Sequence, residues 1–340
     1  MNILFSSHAF YPNIGGLETV SLILAHEFVR QGHKVTLITP TQSREADNFP
    51  FQVIRRPKAR QLMCLVKRCD VYFQNNVSLR TAWPLLFICK PWVVAHHIWI
   101  PRDNGFRELK GRLKHFLLRY AICISISQAI ADHITTPSAV IPDSYDDDVF
   151  YEMPGQSRGR ELVFVGRLIS DKGADLVIEA VARLKSQGSD LHLTVVGAGP
   201  EETALYRLVR ELGVYDQVDF VGVKRENELA ALLNAHQVMV VPSLWEEPFG
   251  VVALEGIACG CVVVGSEGGG LKDAIGHCGV TFPNGDVQAM MQRLTDLFSH
   301  PDRLLPYRAA AKDHLSRHSK AAVASAYLQV LKAAYEEHKS

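Results

Sequence analysis

The chain has 340 residues, too many for a single compact core and enough for two domains. Hydrophobic residues make up 47% and charged residues 21%, the balance of a soluble globular protein, and seven cysteines without a CxxC pair exclude a disulfide scaffold or a zinc ribbon. A formal net charge of zero conceals an asymmetry: residues 51–120 hold 14 Lys and Arg against Asp70, Asp103 and Glu108, an excess of +11 that no nucleic-acid-binding motif accompanies.

The first expected strand, ILFSSH, begins almost at the initiator Met with no basic lead-in, which argues against a secretory leader and for a cytoplasmic protein. Asn13-Ile14-Gly15-Gly16 follows, then the helix LETVSLILAHEFVRQ, expected to stop at Gly32. Glycines between a first strand and its helix let backbone N–H groups reach a phosphate, so Gly15 and Gly16 are candidate ligand contacts. KVTLIT, PFQVIRR, DVYFQN, WVVAHH and AICISIS complete a first series of apolar strands. The most apolar window, TAWPLLFICKPWVVAHHIWI, is interrupted by Lys90, two prolines and two histidines, and reads as helix, turn and buried strand instead of a membrane span. In ELKGRLKHFLLRY (108–120), Leu109, Leu113, Phe116, Leu117 and Tyr120 recur at helical spacing among Lys110, Arg112, Lys114 and Arg119. Such a basic amphipathic helix suits either an anionic membrane surface or packing on its own domain.

A boundary is expected in YDDDVFYEMPGQSRGR (145–160), rich in charge, Pro and Gly. The division is then residues 1–150, residues 151–318, and a last helix in 319–340 that returns to the first domain. A second series of strands, LVFVGR, LHLTVVG, QVDFVG, QVMVVP and CVVVGS, alternates with helical stretches, which implies a parallel sheet in each domain. Arg167 and Lys172 follow the strand LVFVG and are placed to clamp a diphosphate, although two surface cations five apart are by themselves ordinary. In VPSLWEEPFGVVALEGIACG, Glu247 precedes a helix expected over 249–259, and Glu255 lies about two turns further in. An acid inside so apolar a helix needs a reason, and the free N–H groups near Gly250 and Val251 offer an anion site. The 14 histidines form no HExxH-like pattern, so no metal ligand set is expected.

EEPFGVVALEGIACG resembles the motif of two glutamates separated by seven residues in retaining glycosyltransferases of family 4 (glycosyltransferase group 1). LVFVGRLISDKGADLVIEAVARL, LTVVGAGPEETAL, IPDSYDDDVF and ILFSSHAFYPNIGGLETV resemble further segments of that family. The resemblance spans nearly the whole chain, strongest over 161–286 and weakest over 41–90. It implies the GT-B fold, an α/β architecture of two Rossmann-like parallel-sheet domains facing an interdomain cleft. It further implies a metal-independent retaining hexosyltransferase that takes a nucleotide-sugar, UDP-linked first and GDP-linked second, as substrate with no resident cofactor. The acceptor would be a glycan or a lipid-linked cell-envelope precursor. By resemblance Glu247 contacts the sugar, Glu255 the ribose hydroxyls, and Arg167 and Lys172 the diphosphate, while His96, or His97 in a register one residue later, holds the donor in its reactive pose. The sequence departs from the family at Asp143-Ser144, usually Asn-Gly, at Lys272-Asp273, often Pro-Glu, and at Gly256, often Ala. A sugar-nucleotide epimerase of the same fold and a non-catalytic sugar-nucleotide-binding protein remain as alternatives.

Overall fold

The computed structural model describes the chain except for residues 14, 44–46, 101–105 and 340, with the backbone alone described at 106–110 and 301. The expected helical-face residues Leu109 and Lys110, and Ile14 of the glycine loop, therefore have side chains outside the described residues. The chain divides into two compact units: residues 1–144 with 320–340, and residues 145–319.

The first unit is built on β1 (Asn2–Ser7), β2 (Lys34–Thr39), β3 (Gln52–Arg55), β4 (Val71–Asn75), β5 (Trp92–His96), β6 (Ile122–Ser125) and β7 (Ser138–Val140). They form one parallel sheet in the order β3-β2-β1-β4-β5-β6-β7. Its helices are α1 (Gly16–Arg30), α2 (Ala59–Arg68), α3 (Leu79–Ala82), α4 (Phe106–Leu117) and α5 (Gln128–His133). Both faces of the sheet are covered, which is why β1, β4 and β5 are apolar runs instead of alternating ones. The period of two still sorts side chains between the faces. Ile3, Phe5, Val93 and Ala95 point into a core with Leu24 and Phe28 of α1, while Leu4, Trp92 and Val94 meet Leu62 and Val66 of α2. The Ser127 hydroxyl caps α5 by accepting a hydrogen bond from the N–H of Ile130.

The second unit is built on β8 (Arg160–Val165), β9 (Leu193–Val196), β10 (Val218–Phe220), β11 (His236–Val241), β12 (Val262–Ser266) and β13 (Gly279–Phe282), parallel in the order β10-β9-β8-β11-β12-β13. Its helices are α6 (Ala174–Ser186), α7 (Glu202–Glu211), α8 (Glu226–Asn234), α9 (Val251–Ala258), α10 (Leu271–Ile275), α11 (Val287–Phe298) and α12 (Leu305–Ser316). In α6, Val177, Ile178, Val181 and Leu184 recur at helical spacing and bury against Leu162, Phe164 and Val195 of the sheet.

The last helix, α13 (Lys320–Lys339), belongs to the first unit, where Val323, Tyr327, Leu328 and Leu331 lie in the core with Phe5 and Phe73. The units divide six residues before the position expected from sequence. Tyr145 donates its backbone N–H to the His318 carbonyl, and 146–150 close a turn in which the Val149 and Phe150 amides donate to the Asp146 carbonyl. Among the described residues, no helix is long and apolar enough to cross a membrane.

Both strand orders reverse direction once, between β1 and β4 in the first sheet and between β8 and β11 in the second. At such a switch point the loops leaving adjacent strands part to opposite sides and leave a crevice at the strands' C-terminal ends. The candidate residues gather at these two places.

Candidate functional site

In the second unit, β8 and β11 are neighbours in register, Phe164 opposite Val240, so the loops after them start side by side. The loop after β8 carries Arg167 and a short 3-10 turn, Ser170–Lys172; the loop after β11 carries Ser243 to Pro248. The Leu244 amide donates to the Asp171 carbonyl at 2.9 Å, tying the loops together. Gly173 makes the approach possible: its φ of 68° is in the left-handed region, and a Cβ there would overlap the Pro242 carbonyl oxygen. A third loop joins them after β12. Glu247 forms an isolated parallel bridge with Gly269, and the Gly270 amide donates to the Glu247 carbonyl at 2.7 Å. Gly269, at φ 68°, lies so close that a Cβ would overlap that same carbonyl oxygen.

This convergence fixes the charges. The Lys172 ammonium donates to the Glu247 carboxylate, which also accepts from the Ser243 hydroxyl at 2.8 Å. The pair is largely enclosed, with the Lys172 side chain 26% and the Glu247 side chain 13% exposed, so it is less screened than a surface pair. Arg167 is exposed, and its guanidinium has no ion-pair partner among the described residues. Gly250 caps α9, whose free N–H groups begin at Val251; the helix starts two residues later than sequence placed it because Gly250, at φ 107°, is in the left-handed region, and Phe249 ahead of it is buried beside His318, with ring centroids 5.9 Å apart. Glu255, on the second turn of α9, is half-buried among apolar neighbours. Burial, reinforced by the charge of Asp146, pushes its carboxyl up to about 8.

In the first unit the crevice at the ends of β1, β4 and β5 is lined by buried polar side chains. Ser7 and Ser21 share a hydrogen bond at 2.9 Å, and the Asn75 amide donates to Ser21 at 2.9 Å, which ties α1 to the strand ends. Asn76, at φ 62°, accepts from the backbone amides of His97 and Ile98 at 2.8 and 3.2 Å. His96 is the last residue of β5 and 1% exposed, and both its ring nitrogens lack a hydrogen-bond partner among the described residues. Burial, with smaller repulsion from His97, His115 and Lys114, lowers it to about 3, so the ring is neutral and offers one donor and one acceptor. The Nδ1 of His97 lies 2.9 Å from the Asp143 carboxylate. Asn75 Oδ1, Asn76 Nδ2 and Ser144 Oγ are also buried without partners among the described residues. Gly15 precedes α1 and Gly16 is its first residue.

Family models match both units: glycosyl transferases group 1 over residues 154–314, and glycosyltransferase family 4 over residues 14–148. An uncharacterized glycosyltransferase of Methanocaldococcus jannaschii is 37% identical over 326 residues, covering 82% of this chain and 83% of its own. The chain belongs to glycosyltransferase group 1. A D-inositol 3-phosphate glycosyltransferase of Corynebacterium aurimucosum is 36% identical over 172 residues, 48% of this chain, and the chain spans about half the length of several curated relatives of this kind, 41% in that case. Among solved structures, Anabaena HepE in complex with UDP superposes with a TM-score of 0.80 at 20% identity, covering 98% of this chain and 100% of its own. The fold is GT-B.

The structure brings Lys172 and Glu247 into contact, places Arg167 on the loop that carries Lys172, and sets Gly250, Val251 and Glu255 on the helix that follows Glu247. It holds His96, Gly15 and Gly16 in the first unit. Ser243, the partner of Glu247, was not singled out from sequence, although a hydroxyl at a strand end four residues before an acid is a usable signal. Asn75 and Asn76 carried no motif, and Asp143 stood out from sequence only as a departure from the family pattern. Among the described residues, no three His, Cys, Asp or Glu side chains are grouped as metal ligands would be.

Proposed function

We propose that this group 1 chain is a retaining hexosyltransferase that uses a nucleotide-diphospho-sugar, UDP-linked first and GDP-linked second. The contact of Lys172 with Glu247 at the β8–β11 switch point carries the reading, because it joins a cation suited to a leaving diphosphate with a carboxylate suited to sugar hydroxyls. Arg167, exposed on the same loop, supplies the second cation, and the first turn of α9 supplies backbone donors. Glu255 takes the ribose hydroxyls. The neutral ring of His96, whose nitrogens lack partners among the described residues, is suited to hydrogen-bond a hydroxyl of the donor. Gly15 and Gly16 at the start of α1 are assigned to backbone contacts with phosphate.

In the step we propose, the bond between the anomeric carbon and the phosphate oxygen breaks as the acceptor oxygen bonds to that carbon on the same face. The acceptor's proton passes to the leaving phosphate, whose growing charge Arg167 and Lys172 neutralise without a metal. The acceptor is a hydroxyl of a glycan or of a lipid-linked cell-envelope precursor. The +11 excess over residues 51–120 supports peripheral association with an anionic membrane face. Several relatives are named as glycosyltransferases of small hydroxylated acceptors, and HepE has been crystallised with UDP-glucose, which supports a hydroxyl acceptor and a UDP-linked donor.

Thermal shift against UDP-, GDP- and ADP-sugars tests the donor, since a ligand of the folded state raises its melting temperature. The preferred donor, incubated with an acceptor pool, should then give a glycoside whose NMR coupling reports the donor's own anomeric configuration. An inverted product would overturn retention. Conversion of the donor to its epimer without acceptor would make the protein an epimerase, and stabilisation without any turnover would leave a binding protein.

A further inference from the structure

The first unit carries an apolar groove that none of the candidate site residues lines. It encloses about 850 Å³ between the 3-10 turn Trp83–Leu86, the residues after it, and the end of α4. Trp83, Leu86, Phe87, Leu113, Phe116 and Tyr120 line it, and Lys90 is the charged residue among its lining. Four of these are exposed to a degree unusual for their type: Leu86 at 70%, Phe87 at 74%, Phe116 at 50% and Tyr120 at 72%. Contiguous apolar surface of this kind marks a partner site.

We propose that this groove seats acyl chains of an anionic phospholipid bilayer. Charge around the groove selects that occupant. Arg80 lies on α3 between the lining residues Leu79 and Ala82; Arg112 and Arg119 flank the lining residues of α4 and the turn after it. Arg68 ends α2, and the next residue, Cys69, accepts a hydrogen bond from Lys90 at 2.6 Å. All four arginines are exposed, and the Arg119 guanidinium lies 5.9 Å from the Phe116 ring centroid, over its face. Side chains of this kind keep their heads at phosphate level while their stems and the adjacent aromatics enter the hydrocarbon. A second copy of this chain would set like charge against like charge, and a soluble glycan would find carbon where it needs hydrogen-bonding groups.

This inference rests on the peripheral-membrane reading for its attraction and adds insertion at a defined place. The test uses the full chain with vesicles of phosphatidylglycerol and phosphatidylcholine whose acyl chains are brominated. Insertion should quench tryptophan fluorescence, and Trp83→Phe should remove most of that quenching. Phe87→Ser with Phe116→Ser should weaken vesicle partitioning about tenfold or more. The exposure of both rings keeps these variants folded, which their circular dichroism and their thermal shift with donor would verify. Salt-sensitive adsorption without quenching, unchanged in the double variant, would overturn insertion while leaving the charge reading intact. No adsorption to anionic vesicles at low salt would overturn both. Loss of adsorption through self-association, seen by sedimentation velocity, would make the groove a contact between copies and overturn the lipid assignment.

Discussion

The two switch-point crevices share a topology and differ in how their polar groups are satisfied. In the second unit, three loops meet backbone to backbone and the central charges are internally partnered, Lys172 with Glu247 and Glu247 with Ser243. In the first, the crevice holds buried groups without partners among the described residues, including both nitrogens of His96, Asn75 Oδ1, Asn76 Nδ2 and Ser144 Oγ. A buried polar atom without a hydrogen bond costs folding free energy, about 1–3 kcal/mol each, and such groups gather where a ligand completes them. The second crevice is organised in advance around its charges, whereas the first is left incomplete.

The largest expected effect breaks the organised side. On the proposed reading, in which its contact matters most as the glycosyl bond breaks, Glu247→Ala should lower kcat about a hundredfold with a smaller change in donor KM. Equal mild changes in both constants, from steady-state kinetics with the preferred donor, would make the acid structural. Lys172→Ala and Arg167→Ala should each cost about 1.5–3 kcal/mol in kcat/KM, the worth of a charge-assisted contact. Lys172→Ala should also lower the melting temperature, since it strands Glu247, whereas Arg167→Ala should not. A chelator should leave turnover intact, and activity restored by a divalent ion would reverse that expectation.

The incomplete side should respond in the opposite way. His96→Leu removes an imidazole that no described residue hydrogen-bonds, so the melting temperature should hold or rise while turnover falls about tenfold or more. A clear loss of stability, read by calorimetry, would show that the ring is held after all.

The dependence on pH separates the units by its sign. His96 is held near 3 against an ordinary 6.5, so the stability it contributes is present above 6.5 and lost as pH falls toward 3. Glu255 is held near 8 against an ordinary 4.5, so its contribution is present below 4.5 and lost as pH rises through 8. His96→Leu should therefore flatten the acid limb of the melting profile, and Glu255→Gln the alkaline limb. A profile unchanged in either variant would remove that group from the linkage.

Much of the second unit was legible in the sequence because its strands are dense apolar runs and its loops carry charge at motif spacing. Two strands were not. β7, Ser138–Val140, is three residues at a sheet edge, and β13, Gly279–Phe282, is four residues at the edge of the other sheet. Neither is long enough to show a period. The glutamates and cations could be named because charge inside apolar sequence is conspicuous. Asn75 and Asn76 could not, since polar residues at a strand end look like ordinary loop residues until packing buries them, and Asp143 stood out only as a departure from the family pattern. Sequence likewise left His96 and His97 in competition. Among the described residues, neither ring has a hydrogen-bond partner, and they differ in that the Asp143 carboxylate lies 2.9 Å from the His97 Nδ1.

The place of α13 bears on how the molecule is made. A ribosome delivers the entire second unit before Tyr327, Leu328 and Leu331 emerge, yet those residues lie in the core of the first. Of the two units, the one whose strands are made first is completed second. Until the final helix is released, the nascent sheet exposes the apolar face around Phe5 and Phe73, and a chain terminated near residue 319 would expose it permanently.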